Sequence, residues 1–250
     1  MDIASSIATS RLVAQSHAID VIANNIANAD TPGYQAERVQ FADWLSTQTG
    51  AATPPGGRVL AYTQDRATWR ETAHGPLRHT ANPLDLAITG QGYFTVQTAA
   101  GPRLTRDGKF GLLPNGTIAD ATGNALLDTA GKPIRVATTD RGLTITGDGT
   151  LSSTTRTIAR IGVVRPQNPM LMQAQGGTLF QANTPTVAVA SPGIIQGAIE
   201  GSNVQPIAEL TRMIATSREF QFVAQFVQAE STRQKSAIDK LLPAPGSSTP

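Results

Sequence analysis

The run Asn24-Asn25-Ile26-Ala27-Asn28-Ala29-Asp30-Thr31-Pro32-Gly33-Tyr34 decides how this chain begins to fold. Pro32 cannot continue a helix and Gly33 favours a turn, so a helix that precedes the run has to end within it. The asparagine side chains can hydrogen-bond to backbone groups at a helix end, and the alanines between them allow close approach of another helix. The residues alone leave two interpretations open: an ordinary helix C-terminus, or a polar surface suited to close packing.

The residues before this run predict a helix, because residues 4–28 contain no glycine and no proline. Leu12, Ile19 and Ile26 recur every seven residues and Ile22 falls between the last two, which is the spacing of an apolar seam. The opposite face is polar and carries Ser16, Asp20 and Asn24. A short amphipathic helix in a globular core would have the same pattern.

The other end of the chain predicts a longer helix, since residues 207–242 also lack glycine and proline. A heptad seam runs along it, with alternating spacings of four and three. Its members are Met213, Ser217, Phe220, Ala224, Val227, Ser231, Gln234, Ile238 and Leu241. Further apolar residues widen the seam: Leu210, Ile214, Phe222, Val223 and Phe226. Neither seam has an apolar partner nearby in the sequence, so we expect the two helices to pack together in a coiled-coil-like manner and to contact neighbouring subunits.

Between about Thr80 and Ser191 the pattern changes to the two-residue alternation of half-buried strands. The alternating pairs are Leu86/Ile88, Phe94/Val96, Ile134/Val136, Leu143/Ile145, Ile161/Val163 and Val187/Val189. Turn signals separate them at Asn115-Gly116, Asp107-Gly108, Asp148-Gly149 and Gly176-Gly177. Because no helical pattern alternates with these strands, we expect an antiparallel barrel or sandwich rather than a parallel sheet. The fold class is therefore α+β.

Two segments have weaker patterns. Residues 34–79 are predicted to be irregular or partly β, with a loop at Thr53-Pro54-Pro55-Gly56-Gly57 and with Phe41, Trp44 and Trp69 anchoring extended stretches. Leu242-Pro243 is expected to end the second helix, and the residues from 243 to 250 are expected to be disordered.

Composition limits the classes of function. The chain has 250 residues, 20 basic and 18 acidic side chains, and a net charge of +2, with no cluster of Lys and Arg that would mark a nucleic-acid surface. Cysteine is absent, which excludes disulfides and thiolate metal sites. The first twenty residues have no continuous apolar run and no stretch is long enough for a transmembrane helix, so we expect neither a cleaved signal peptide nor membrane insertion.

No motif predicts catalysis, a cofactor or a bound metal. His17, His74 and His79 are the only histidines, and their spacing does not suit one metal ion. A serine triad forms in space and leaves no fixed spacing, but the Gly-x-Ser-x-Gly elbow is missing. Gly90-Gln91-Gly92 resembles the start of a phosphate loop but lacks the Lys-Ser/Thr ending, so we interpret it as a tight turn between strands.

The run from Asn24 to Tyr34 closely resembles the signature of flagellar rod and hook proteins, Asn-Asn-(Ile/Leu)-Ala-Asn-x-x-Thr-x-Gly-(Phe/Tyr). Three further blocks resemble that family in the family's order. They are Asn82–Ile88 with Gly90–Phe94, Leu104–Phe110, and Gly197–Val204. Length and the run Met213–Phe220 are most similar to the proximal-rod branch, with the distal-rod branch as the close alternative, although Ser217–Gln221 departs from the run usual in the distal branch.

The resemblance implies a structural subunit of the flagellar basal-body rod, in which terminal helices line a hollow tube that transmits torque across the periplasm to the hook. It also implies export through the flagellar secretion apparatus and contact with inner, proximal and distal rod subunits. The expected division is a core domain made of helices 1–30 and 197–242, an extended arm at 31–79, a β domain at 80–196 and a tail at 243–250. We expect the assembly interface to include Leu12, Ile19, Ile22, Asn24, Asn25, Ile26, Asn28, Pro32, Gly33, Leu210, Met213, Ile214, Phe220, Phe222, Phe226, Val227 and Ile238.

Other classes remain as alternatives. A β-domain enzyme or a carbohydrate-binding protein with helical flanks would need a pocket with convergent polar groups. A surface adhesin would need a signal peptide. The apolar seams at both ends of the chain argue for an assembling subunit.

Overall fold

The computed structural model describes residues 3–48 and 58–241, with side chains at 6–40 and 68–239. Two α-helices lie at the ends of this part of the chain, α1 (Ile3–Ala27) and α2 (Pro206–Leu241). Both agree with the predicted helices to within a residue or two. Pro206 occupies the first helical position, where its missing N–H has no helical partner to lose.

The residues between the helices form eighteen strands in the described part of the chain. They are β1 (Glu37–Gln48), β2 (Arg58–Arg70), β3 (Leu77–His79), β4 (Leu86–Ile88), β5 (Tyr93–Thr98), β6 (Gly101–Thr105), β7 (Phe110–Leu112), β8 (Ile118–Asp120), β9 (Ala125–Leu126), β10 (Thr144–Ile145), β11 (Thr150–Ser152), β12 (Thr157–Arg160), β13 (Val163–Pro166), β14 (Gln173–Ala174), β15 (Leu179–Gln181), β16 (Thr186–Ala188), β17 (Ile194–Gln196) and β18 (Ala198–Glu200). A single 3-10 turn, Pro169–Leu171, precedes β14.

The largest sheet has nine strands in the order β14-β15-β6-β5-β9-β8-β7, and β13 pairs with both β5 and β16. Its pairings are antiparallel, as are those of β10-β11-β12, β17-β4 and β18-β3. Two helices and an antiparallel β body confirm the α+β class. The described helices contain no stretch apolar and long enough to cross a membrane.

The chain separates into two compact units. One is made of Met1–Asn24, Arg38–Thr68 and Ile207–Pro250, as far as these residues are described, and the other of Asn25–Glu37 and Trp69–Pro206. The second unit has a continuous apolar core. Its largest fully buried side chains include Leu86, Ile88, Phe94, Ile118, Leu126, Ile134, Leu151 and Ile161.

The first unit contains most of both helices. Gln15 Nε2 on α1 donates to Glu219 Oε2 on α2 at 3.3 Å, so the helices meet at this point. Arg38 Nη1, near the start of β1, lies 2.6 Å from Oε1 of the buried Glu209 on α2. Continuous coiled-coil packing along the predicted seams stays a prediction.

The most buried stripe of α1 differs from the seam that periodicity predicted. Ala8, Ala14, Gln15, Val21 and Ile22 are the buried residues of α1 in this unit. Leu12 and Ile19 are only half-buried, at the edge of that stripe. Ile22 belongs to the predicted seam, whereas Ala8, Ala14 and Gln15 were missed because alanine and glutamine are too weakly hydrophobic to stand out in the spacing of apolar residues.

Several expectations about strands need correction. Ile134 and Val136 are buried but belong to no strand. The backbone of Ile134 bonds to Leu126 and Ile118, and the N of Val136 donates to the oxygen of Gly116. Asp107-Gly108 lies between β6 and β7 as a strand-separating signal should, but these two strands do not pair with each other, so it is not a hairpin turn. A Cβ at Gly108 would lie 1.6 Å from the backbone oxygen of Leu86. That glycine is required by close packing of two backbone segments.

The region predicted to be irregular or partly β holds β1 and β2, which pair with each other in a two-stranded sheet. Their sequences break the two-residue alternation with polar residues, so the strands were not recognised individually. The side chains of Phe41 and Trp44, the predicted loop from Thr53 to Gly57 and the tail from 243 to 250 lie outside the described residues, whereas Trp69 is half-buried in β2.

The core of the β body gives a direct test of the fold. Phe94 is fully buried and packs edge-on against Phe110, with ring centroids 5.4 Å apart. We expect Phe94→Ala to lower the free energy of unfolding by about 3–5 kcal/mol, because it leaves a cavity. Urea unfolding followed by the β-sheet circular dichroism signal measures this loss.

The control is Leu112→Ala, since Leu112 lies on β7 of the same sheet but is 51% exposed. Its loss should be below about 1 kcal/mol. Equal losses in the two variants would contradict the assigned core.

Candidate functional site

The run from Asn24 to Tyr34 folds around one buried side chain, Asn25, which is 0% exposed. Its Oδ1 accepts from Tyr34 Oη at 3.1 Å and from the backbone N of Glu37 at 2.8 Å. Its Nδ2 donates to the backbone oxygen of Glu37 at 2.9 Å. One asparagine therefore satisfies both backbone groups of the residue that starts β1, and so determines how the chain turns out of α1.

Gly33 brings this turn against two other segments. It has a φ of +67°, and its N donates to the backbone oxygen of Glu200 at 2.8 Å. A Cβ at this position would lie 2.2 Å from the N of Asp107 and 2.3 Å from the C of Arg106. Both the left-handed conformation and the close approach therefore require glycine.

Behind Gly33 lies a buried ion pair. The side chains of Arg106 and Glu200 are 2% and 3% exposed, and Arg106 Nε lies 3.2 Å from Glu200 Oε2. Arg106 Nη1 also donates to the backbone oxygens of Gly90 and Gly92, at 3.0 and 2.7 Å. The same guanidinium carbon lies 5.6 Å from the ring centre of Tyr93. Every one of these partners belongs to a block that resembled the family signature.

Burial shifts the pKa of two side chains in this cluster. Burial lowers the pKa of the Arg106 guanidinium, and the neighbouring Glu200 carboxylate opposes that shift by favouring the charged form. Burial also raises the pKa of the Tyr93 phenol, whose hydroxyl donates to Gln35 Oε1 at 3.1 Å. Because charge inside a protein is costly unless paired, Arg106 and Glu200 depend on each other.

Asn203 connects the segments on either side of β1 and β2 to the cluster. Its Oδ1 accepts from the N of Ala36 at 2.7 Å, and its Nδ2 donates to the oxygens of Glu71 and Ala73, both at 2.9 Å. Its backbone N donates to the oxygen of Tyr34 at 3.3 Å. We call the cluster of Asn25, Gly33, Tyr34, Arg106, Glu200 and Asn203 the joint.

A stacked arginine lies beside the joint. The guanidinium carbon of Arg70 lies 5.6 Å from the ring centre of Tyr34 and 5.1 Å from that of Phe180. Arg70 Nη1 donates to the backbone oxygen of Gln35 at 2.9 Å. The end of β2 is thus tied to the segment that leads into β1.

The predicted interface residues fall into three groups. Asn25 and Gly33 lie in the joint and are buried, while Asn28 and Pro32 are half-buried beside it. Ile22 is buried, and Leu12, Ile19, Ile26, Met213, Phe220 and Val227 are half-buried. Exposed residues are Asn24, Leu210, Ile214, Phe222, Phe226 and Ile238.

The roles of Arg106, Glu200 and Asn203 were not predicted, although all three lie in blocks identified by resemblance. The sequence does contain one indication of a buried charge: in Ala198-Ile199-Glu200-Gly201 a charged side chain is flanked by apolar residues and glycine. Among the described residues, no group of three or more His, Cys, Asp or Glu side chains could hold a metal ion.

The joint predicts a large effect of Asn25→Ala on stability. The substitution removes the three hydrogen bonds that Asn25 makes to the N–H and C=O of Glu37 and to the hydroxyl of Tyr34. A buried polar group that loses its hydrogen bond costs about 1–3 kcal/mol. The free energy of unfolding in urea should fall by at least about 2 kcal/mol. Asn24→Ala is the matched control, because Asn24 is the preceding residue and is exposed. A similar loss in both variants would contradict the role assigned to the hydrogen bonds of Asn25.

Three family models match this chain. "Flagella basal body rod protein" matches residues 6–35, "Flagellar hook protein FlgE/F/G D1 domain" matches 87–153, and "Flagellar basal body rod FlgEFG protein C-terminal" matches 195–240. The first and third contain the two helices and most of the joint, and the second covers much of the β body.

Individual relatives agree with these models. The chain is 33% identical to the flagellar basal-body rod protein FlgF of Caulobacter vibrioides over 243 residues, which is 96% of this chain and 98% of that protein. It is 32% identical to FlgF of Mesorhizobium japonicum, over 94% and 96% of the two chains. It is 32% identical to FlgG of Bacillus subtilis, over 81% and 85%. The resemblance predicted from the sequence is confirmed, and this chain belongs to the family of flagellar basal-body rod proteins, the structural subunits of the rod.

Proposed function

We propose that this chain is a subunit of the proximal rod and that it assembles with neighbouring rod subunits through an exposed apolar face of α2. The observation that carries this proposal is the exposure of four large side chains on one helix. Leu210 is 52% exposed, Ile214 47%, Phe222 73% and Phe226 49%. Family membership supports assembly with other rod components, and the exposed face supplies a surface for it.

These side chains form two pairs on a broad exposed side of α2. An α-helix turns about 100° per residue, so Leu210 lies next to Ile214 and Phe222 next to Phe226, with the two pairs centred about 120° apart. Together they span about 160° of the helix surface, which we call the apolar face, with the exposed Arg218 between the two pairs. The half-buried seam of Met213, Phe220 and Val227 lies outside this span. Ala215 and Ala229 are exposed within it and would allow a neighbour to approach closely.

The energy of covering this face is substantial. Burying each large apolar side chain contributes roughly 1.5–3 kcal/mol relative to leaving it in water. A concentration of exposed large apolar side chains usually marks a protein contact. Repetition of the contact in every subunit would stabilise a tube, since each subunit would add the same interface.

The mechanical role rests on the joint. We propose that the rod is a hollow shaft that transmits torque across the periplasm to the hook, and that the joint keeps residues 25–37 stiff under load. Close packing of Gly33 on Arg106 leaves little room for bending at that point.

The predicted division of the chain also belongs to this proposal: a helical core at 1–30 and 197–242, an arm at 31–79 and a β domain at 80–196. We further propose that the flagellar export apparatus delivers the subunit and that it has no nucleic-acid or membrane partners.

An enzymatic role is not favoured. A cavity of about 130 Å³ beside the joint is lined by Gln35, Tyr93, Arg106 and Arg165 among others. These polar groups bond within the protein: Tyr93 Oη donates to Gln35 Oε1, and Arg165 Nη1 donates to Gln91 Oε1 at 3.0 Å. We propose that they hold the fold together and that the chain catalyses no reaction.

Replacing Phe222 tests the proposed face. Phe222→Asp should leave the isolated subunit folded, because the side chain is already in water there. In the rod it would bury an unpaired carboxylate, which is expensive, so we expect loss of motility and of rod assembly. Swimming assays and electron microscopy of isolated basal bodies measure these outcomes.

Phe222→Leu is the matched control, because it keeps an apolar side chain and should keep motility. Circular dichroism of the purified subunit checks that Phe222→Asp is folded. Normal swimming of cells that carry Phe222→Asp would contradict the proposed interface.

A further inference from the structure

The exposed side of α1 carries mostly small side chains. A helix turns about 100° per residue, so residues that recur every three or four positions lie on one side of it. On α1 the side opposite the buried stripe is exposed, and it carries Thr9, Val13, Ser16 and Asp20. We call these four residues the small-residue face. Asp20 is its one charged member.

The apolar face of α2 also has one charge, Arg218, at its centre. Successive members of this face are four residues apart and so form one ridge along the helix: Leu210, Ile214, Arg218, Phe222 and Phe226. The two other charged residues between Leu210 and Phe226 lie outside the ridge and are bonded within the subunit. Arg212 lies 2.7 Å from Glu209, and Glu219 accepts from Gln15 at 3.3 Å.

The two faces complement each other in charge and in size. Asp20 and Arg218 are both exposed, and neither has an ion-pair partner among the described residues. Ile214 and Phe222 flank Arg218 at one helical turn on either side, and a ridge of this kind packs into the groove between small side chains of another helix. Because each face has a single charge, only one register brings the two charges together, and complementary charges fix the register of an interface in this way.

The two faces do not meet within one chain. Gln15 of α1 contacts Glu219 of α2, and Asp20 lies about 140° around α1 from Gln15, so it points away from this contact. A second copy of the chain carries the complementary face. Since each copy has the two halves of the contact on different helices, the contact is head-to-tail, and its repetition generates a ring or an open helix of subunits.

We infer that the small-residue face of α1 in one subunit docks on the apolar face of α2 in a second copy, and that Asp20 pairs with Arg218 to set the register of the two helices. This inference rests on the assembly through α2 proposed above and names the surface that covers the apolar face.

The direction of the helices predicts which further residues meet. Asn203, shortly before α2, donates its backbone N to the oxygen of Tyr34, shortly after α1, so the two helices run antiparallel away from this point. A neighbour that is related by rotation about an axis along the helices keeps that direction. With Asp20 level with Arg218, a step of seven residues in opposite directions along the chain places Val13 opposite Gln225, and both are exposed.

Exchange of the two charges tests the pairing in cells. Asp20→Arg and Arg218→Asp each place like charges opposite one another in a covered interface, which is unfavourable. We expect either variant to lower the number of assembled rods and the swimming halo in soft agar at least about tenfold. The variant that carries both substitutions restores the pair between neighbouring copies and should recover both readouts to within about twofold of the wild type.

Arg218→Lys is the matched control, because it keeps the charge and should keep motility, and circular dichroism checks that every variant is folded. Normal motility of both single variants would overturn the pairing. Loss in both single variants without recovery in the double variant would also overturn it, because the partner of α2 is then not α1 of a second copy. The proposed apolar face is tested separately by Phe222→Asp.

Cross-linking tests the docking directly, since the chain has no cysteine of its own. In isolated basal bodies, a chain with Val13→Cys and Gln225→Cys should give products at two and more times the mass of one chain with a short bismaleimide. Either cysteine alone should give none. Val13→Cys with Thr211→Cys is the control pair, because those two positions meet only if the helices run parallel. Absence of product from the first pair, or product from the control pair, would overturn the inference.

Discussion

The buried pair of Arg106 and Glu200 is the constraint on which the rest of the second unit depends. Neither side chain can be removed alone without leaving a charge in a nearly dry interior, a change that typically costs about 3–5 kcal/mol. The pair also positions its neighbours, since Arg106 binds the backbone oxygens of Gly90 and Gly92 and Glu200 binds Gly75. Gly33 N donates to the backbone oxygen of Glu200, so the chain that leaves α1 and the chain that leads into α2 meet at the residue that carries this carboxylate.

The packing around this ion pair explains why particular positions carry glycine or asparagine. Gly33 and Gly75 are required because a Cβ would lie within 2.2 Å of Asp107 N in one case and 1.9 Å of Gly201 O in the other. Asn25 and Asn203 are required because an amide side chain both donates and accepts, and each of them completes backbone groups that no regular ladder reaches. The signature run and the block from Gly197 to Val204 therefore have a common physical explanation: they are two sides of one joint.

Local patterns predicted the local structure. The ends of α1 and α2, the turns at Asn115-Gly116 and Asp148-Gly149 and the strands β4 and β5 follow from helix breakers, glycines and two-residue alternation. Most of the other strands are only two or three residues long, which is too short for alternation to show. The pairing of Arg106 with Glu200 could not be predicted in this way, because the two residues are far apart in the sequence and nothing local indicates which charge is buried. The stripe of Ala8, Ala14 and Gln15 on α1 was missed for a related reason, since its members pack closely without being strongly apolar.

Two features with different chemistry thus define this rod-family subunit: a buried polar joint inside the second unit, and an apolar face on α2 that is exposed in the single chain. The joint is the central claim. A double-mutant cycle of Arg106→Met and Glu200→Gln, measured as free energies of unfolding, tests it most directly. A coupling energy of at least about 2 kcal/mol, with the double variant losing much less than the sum of the single losses, is the result we predict. Additive losses, within about 0.5 kcal/mol, would contradict it.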